Sequence, residues 1–129
     1  MAEQDDIRAM AQRFFDAIEA GDIATMQGSF TPDAEIWHNT DELIVTPAQT
    51  AQTLTGMVAR IKDREYAERR LTTFPGGFVQ QHVLSATLPN GKEWAMDACV
   101  VVTMEGGKIK RLDEYLDSAK GAQLREFGR

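Results

Sequence analysis

Three residues in the second half of the chain, His82, Asp97 and Glu114, are of the types that move protons near neutral pH. An imidazole beside an ionised carboxylate has its pKa raised, and the partner decides which ring nitrogen keeps the proton. Such a pair can take a proton from a carbon acid or a water, contributing roughly 10²–10⁴-fold to a rate. A second carboxylate close by separates the two acids into a proton donor and a base. The three residues lie in runs that read as strands, 78–84, 94–102 and 109–116. The runs are separated by Pro89-Asn90-Gly91 and by Gly106-Gly107. Asn-Gly and Gly-Gly are preferred centres of two-residue hairpins because they tolerate positive φ.

Two-residue loops at both places set a register. His82 then faces Cys99, Leu84 faces Asp97, and Cys99 faces Glu114. Side chains alternate with period two, so one sheet face is expected to carry Gln80, His82, Leu84, Ala95, Asp97, Cys99, Val101, Leu112, Glu114 and Leu116. The other is expected to carry Val83, Ser85, Trp94, Met96, Ala98, Val100, Val102, Arg111, Asp113 and Tyr115. In this register His82 is the base, Asp97 orients it, and Glu114 is the second acid–base group or the orienter of a water. The cluster depends wholly on the register, since a slip of one residue sends every side chain of a strand to the opposite face.

The run 34–38 adds Trp37, His38 and the following Asn39. Neighbours on a strand point to opposite faces, so Asn39 with Trp37 and His38 are alternatives for the site. Asn39 could donate to a substrate oxygen, Trp37 could form pocket wall, and Phe14 from the first helix could do the same. Cys99 lies between His82 and Glu114; as a small apolar residue it would line the pocket, because a carboxylate beside it disfavours the thiolate that nucleophilic catalysis needs. One His and two carboxylates could also hold a metal. The chain has no helical pair of histidines and no cysteine pair, and no metal or other cofactor is assigned. Gly76-Gly77 and Gly106-Gly107 read as hairpin turns, not as phosphate-binding loops.

The elements that must hold these residues follow from periodicity and turn chemistry. Ile7, Met10, Ala11, Phe14, Phe15 and Ile18 recur at helical spacing, with Asp5 and Asp6 at the start and Gly21 at the end. Asp22 is placed to cap a short helix to about Gly28. Thr31-Pro32-Asp33 reads as a turn before a short strand, 34–38. Thr46-Pro47 opens a third helix, with Ala51, Leu54, Val58 and Ile61 on one face, ending near Lys62. Strands are expected at about 66–74, 78–88, 93–104 and 108–116, and a last short helix at 118–127. Helices followed by an antiparallel meander mean an α+β fold, a curved sheet closing over helices to enclose a cone-like pocket. The apolar outer set Val83, Trp94, Met96, Ala98, Val100, Val102 and Tyr115 predicts a homodimer formed through the outer sheet face.

With 129 residues the chain is expected to form one domain over 1–129. A net charge of −6 with no large basic patch argues against nucleic acid and anionic membrane as partners. The longest apolar run, 98–102, is far too short to span a bilayer. The acidic start and the single cysteine fit a cytoplasmic protein without an internal disulfide.

The sequence of elements, ending in Gly107-Lys108-Ile109 and Asp113-Glu114-Tyr115-Leu116-Asp117, resembles the nuclear-transport-factor-2-like fold. Within it the chain resembles the SnoaL-like group, whose relatives include ketosteroid isomerases and limonene epoxide hydrolases. The resemblance covers nearly the whole chain and implies a cone-shaped pocket for a small organic molecule. It implies that His82 and Asp97 match an acid–base pair of SnoaL-like cyclases, and that Glu114 matches an acidic residue of the epoxide hydrolases. It also places Trp37 and Asn39 near a water-holding pair, and His38 near the base of the isomerases. The Arg-x-Asp of the epoxide hydrolases is replaced by Gln-Gln-His-Val at 80–83, and Phe14 and Phe15 stand near the isomerases' first-helix tyrosine. The expected function is a cofactor-free acid–base enzyme (isomerase, dehydratase, lyase, cyclase or hydrolase) on a small apolar substrate. The alternative is a non-catalytic ligand-binding or dimerisation module of the same fold.

Overall fold

A computed structural model describes residues 2–128. The helical half follows the apolar spacing. Helix α1 (Ala2–Ala20) buries Ile7, Met10, Ala11, Phe14, Phe15 and Ile18 on one stripe. Gly21, at φ +77, ends it in the left-handed conformation open to glycine. Helix α2 (Ile23–Gly28) is capped by Asp22, whose carboxylate accepts from Thr25 N at 3.1 Å. Helix α3 (Pro47–Arg60) opens on a reciprocal capping box between Thr46 and Gln49. The Arg64 guanidinium then donates to the carbonyls of Ile18 and Glu19 at the end of α1 and of Ile61 at the end of α3. One cation thus closes the negative ends of two helices.

Six strands form one sheet: β1 (Phe30–His38), β2 (Ile44–Val45), β3 (Lys62–Phe74), β4 (Gly77–Thr87), β5 (Glu93–Glu105) and β6 (Lys108–Leu116). Their order is β2-β1-β6-β5-β4-β3, and every pairing is antiparallel except β1 with β6. Helix α4 (Ser118–Gly128) follows β6. Helices packed on one face of a curved, mostly antiparallel sheet make the α+β cone fold. Three elements differ from expectation. β1 runs through Thr31-Pro32-Asp33, where a turn was expected; its pairing with β6 is irregular between Phe30 and Glu35, and Pro32 and Asp33 are exposed there. β2 is too short to leave a periodic signal. β3 begins at Lys62, four residues earlier than expected.

The register overturns part of the expected cluster. Between β4 and β5, His82 pairs with Ala98 and Val83 with Asp97. The loop contains three residues, not two: Gly91 N donates to Leu88 O at 2.8 Å, and Leu88 N donates to Lys92 O at 2.9 Å. Pro89 and Asn90 form the centre of a tight turn, and Gly91 at φ +82 is the left-handed residue that closes it. Proline's fixed φ suits the second position of such a turn, and its missing N–H makes it a poor ladder residue. Between β5 and β6 the Gly106-Gly107 turn is as expected, with Glu105 opposite Lys108. One turn later a bulge leaves Lys110 without a counterpart, so Thr103 pairs with Arg111, Cys99 with Tyr115 and Val100 with Glu114.

The two one-residue shifts cancel across β5. Strands β4 and β6 keep the faces expected of them, and β5 alone is turned over. Trp94, Met96, Ala98, Val100 and Val102 are therefore core residues against the helices, and the outer apolar patch expected from them does not exist. The outer face carries Gln81, Val83, Ala95, Asp97, Cys99, Val101 and Tyr115.

Candidate active site

The inner sheet face collects one group of ionisable side chains. Residues paired directly across strands share a face, which aligns Gln80, Val100, Glu114 and His38 in one row and His82, Ala98 and Leu116 in the next. His38 is the last residue of β1 and lies beside Glu114 because β1 and β6 run parallel. Its Nε2 is 3.0 Å from Glu114 Oε1, and both side chains are partly buried. Burial opposes a charge on His38, but the hydrogen bond and charge of Glu114, with Asp41 nearby, outweigh it and raise its pKa above the usual 6.5.

His82 sits deeper, only 3% exposed. The Phe15 and Tyr66 rings meet its ring edge-on, with centroids 5.2 and 4.8 Å away. Its Nδ1 is 3.0 Å from Gln80 Nε2, and its Nε2 is buried without a hydrogen-bond partner. Burial lowers its pKa below 6.5, and Arg69 adds to this against the opposing charge of Glu114. The two histidines are therefore shifted in opposite directions, His38 toward imidazolium and His82 toward the neutral ring. The Glu114 charge also reaches Tyr66, whose phenol is raised by burial first and by Glu114 and Glu19 next.

Tyr66 is held in place by a bulge in β3 that α1 stabilises. Its N–H donates to Glu19 Oε2 at 2.6 Å. Arg69 donates to Tyr66 O, pairs with Asp16 and Glu19, and lies over the Phe15 ring. Gln80 and Tyr66 were not among the expected site residues. Gln80 could have been found from its place two residues before His82 on the same face; Tyr66 had no such signal, because the bulges in β3 hide its face.

The other expected residues lie elsewhere. Asp97 and Cys99 point away from His82, on the outer face, so the expected His82–Asp97 pair is not formed. Trp37 is also on the outer face, where its ring meets Tyr115 at 5.3 Å. It stands apart from the interior, while His38, its alternative, faces inward. The Asn39 amide pairs with the backbone of Leu116, donating to its carbonyl at 3.2 Å and accepting from its N–H at 3.0 Å. It prolongs the β1–β6 ladder from an exposed position. Phe14 packs against Phe15 and Phe30 in the core. A shallow outer cleft of about 370 Å³ is lined by Asn39, Arg70, Gln81, Asp97, Cys99 and Tyr115, with the inward-facing His82, Ala98 and Leu116 beneath. Among the described residues, no group of three or more His, Cys, Asp or Glu side chains is arranged to hold a metal ion, and no helix is long and apolar enough to cross a membrane.

Comparison with solved structures finds the same fold. A candidate polyketide cyclase from Xanthomonas campestris pv. campestris superposes with a TM-score of 0.82 at 16% identity, covering 93% of this chain and 97% of that one. An epoxide hydrolase of M. tuberculosis, described as LEH-like, gives 0.75 at 17% identity, covering 97% and 92%. A ketosteroid-isomerase-like protein from Catenulispora acidiphila DSM 44928, in complex with trimethylamine, gives 0.73 at 11% identity, covering 82% and 83%. A comparison with curated proteins finds no match. The family model of the SnoaL-like domain matches residues 11–112. With that match over most of its length, and with the cone fold built as described, the chain belongs to the SnoaL-like domain family.

Proposed function

We propose that the chain is a cofactor-independent acid–base enzyme that acts on a small, mostly apolar organic molecule. The observation that carries this reading is the Glu114 carboxylate, held by His38 at 3.0 Å on the inner face, with its charge felt by buried His82 and Tyr66. A carboxylate bound to an imidazole can accept a proton from carbon or water and return it elsewhere, the chemistry that isomerases, dehydratases, lyases, cyclases and hydrolases share. Glu114 is the proton acceptor, His38 its partner, and His82 the polar group that faces the substrate. Asp97, on the other side of the sheet, is outside this assignment. Phe14, Phe15 and Tyr66 supply an apolar setting that strengthens each polar contact.

We further propose one domain over residues 1–129, a cytoplasmic location, and a homodimer through the outer face around Trp37 and Tyr115, a smaller patch than the sequence reading supposed. The test of the enzymatic reading is hydrogen–deuterium exchange at carbon next to the carbonyl of small cyclic ketones, with diol formation from small epoxides measured in parallel. Glu114→Gln should lower the active reaction by about 10²–10⁴-fold, while Asp97→Asn should leave it within about twofold. Equal rates in the wild type and Glu114→Gln would sink the proposal. A second reading, a non-catalytic binding module, is favoured by the close packing of Phe15 and Tyr66 on His82; it predicts ligand binding without turnover.

A further inference from the structure

The inner site contains one polar atom that nothing in the fold uses. His82 Nε2 is buried and has no partner, although its ring is otherwise fixed on all sides described above. Gln80 decides the chemistry of that atom. The Gln80 Nε2 at 3.0 Å from His82 Nδ1 carries hydrogens only and can only donate. Nδ1 must then be the bare nitrogen, and the ring proton resides on Nε2. Gln80 is itself only 2% exposed, so water does not compete for its amide. Glu114, the nearby acceptor, is bound to His38 and does not take the Nε2 proton. The Phe15 and Tyr66 rings packed against it hinder the rotation that would exchange its nitrogens.

We infer that Gln80 is a positioning residue that holds His82 as the neutral Nε2–H tautomer, so that His82 donates a hydrogen bond to a carbonyl oxygen of the ligand. This deepens the reading above and rests on it for the reaction. It assigns His82 a role other than the base expected from sequence, and it names the substrate class as small apolar carbonyl compounds. A buried donor without a partner favours an acceptor atom and disfavours another donor or a cation. In the reaction the C–H bond next to the carbonyl breaks and its proton passes to Glu114. The electron pair becomes the new C=C bond, and the carbonyl π pair moves to the oxygen, which accepts from His82 Nε2–H. His82 stays neutral throughout, the form that burial favours, and lends its Nε2 proton only as a hydrogen bond.

The tautomer can be read without any assay of turnover. In ¹⁵N-histidine-labelled protein near neutral pH, long-range ¹H–¹⁵N spectra should show His82 protonated on Nε2 and bare on Nδ1. Gln80→Glu, whose carboxylate accepts, should move the proton to Nδ1, and Gln80→Leu should give a mixture of the two forms. Titrating cyclohexanone into the wild type should move the Nε2–H signal downfield, and trimethylammonium chloride should leave it in place. A wild-type ring protonated on Nδ1, or an Nε2–H signal indifferent to cyclohexanone, would overturn the inference. Since the wild-type spectrum carries the main result, it stands even if Gln80→Glu does not fold. Failure of the enzymatic reading appears separately, as exchange unaffected by Glu114→Gln with the His82 tautomer unchanged.

Discussion

Two histidines a few residues apart in space are tuned in opposite directions, and their surroundings explain both. His38 gains a carboxylate partner at the end of β1; His82 gains an amide and two aromatic rings in the interior. By NMR titration His38 should lose its proton above pH 6.5 and His82 below it, and Glu114→Gln should bring the His38 value down. The stability consequences have opposite signs. Because the folded His38 value is raised, its stabilisation is full below the unfolded value and fades as pH rises through the folded one. Because the folded His82 value is lowered, the unfolded chain takes up a proton first as pH falls, and stability is lost from about the unfolded value downward. Urea unfolding should therefore show His38→Gln increasingly destabilised relative to wild type from about pH 8 to about pH 5. A constant difference across that range would contradict the ion pair. The unpartnered His82 Nε2 costs the folded state about 1–3 kcal/mol, a cost that a bound acceptor would relieve.

At the scale of elements, the loops decide which residues meet. The Pro89-Asn90-Gly91 loop keeps Leu88 opposite Lys92. Deleting Pro89 would leave Asn90-Gly91 as a two-residue hairpin between the same pair. The deletion variant should fold with the inner face intact and a stability within about 1.5 kcal/mol of wild type, read by thermal unfolding and by the His82 ring signals. Loss of cooperative unfolding would show that the proline, not the pairing, holds the register. Gly77, the first residue of β4, and Gly91, in the loop that follows β4, should respond unequally to alanine. A Cβ at Gly77 would lie 2.0 Å from the Val102 carbonyl oxygen, so Gly77→Ala must push two strands apart and should cost about 3 kcal/mol or more. A Cβ at Gly91 would meet nothing within 4 Å, leaving only the conformational cost of φ +82, about 1–2 kcal/mol. Denaturant midpoints that fall in the reverse order would refute this account of the β4 end.

For the whole molecule, turning β5 over moves Trp94, Met96, Val100 and Val102, with the small Ala98, from the presumed interface into the core. What is left outside centres on Tyr115, 47% exposed, with Trp37 against it and Cys99 and Val101 beside it. If this face joins two copies, light scattering should give twice the monomer mass for the wild type and the monomer mass for Tyr115→Arg. A wild type that is monomeric at all concentrations would remove the dimer proposal and leave the inner site untouched, since that site is built within one chain.

The sequence was sufficient for what depends on neighbours along the chain. The α1 stripe, the Asp22 and Thr46 caps, the Gly21 stop, the Gly106-Gly107 turn and the closing motif of β6 were all legible, because periodicity and turn chemistry are local properties. From these the α+β cone and the family resemblance followed. Which residues meet was not local. Pro89 carried a readable signal for its loop, but the bulge at Lys110 and those in β3 had none, and each reverses the side-chain alternation of a strand. His82 and Glu114 share a face because two such reversals cancel. Asp97 left the cluster because it lies between them, and His38 entered it because a parallel pairing of β1 with β6, remote in sequence, places it beside Glu114. Strand register is set by how the whole sheet packs on its helices, and only the tertiary structure contains that information.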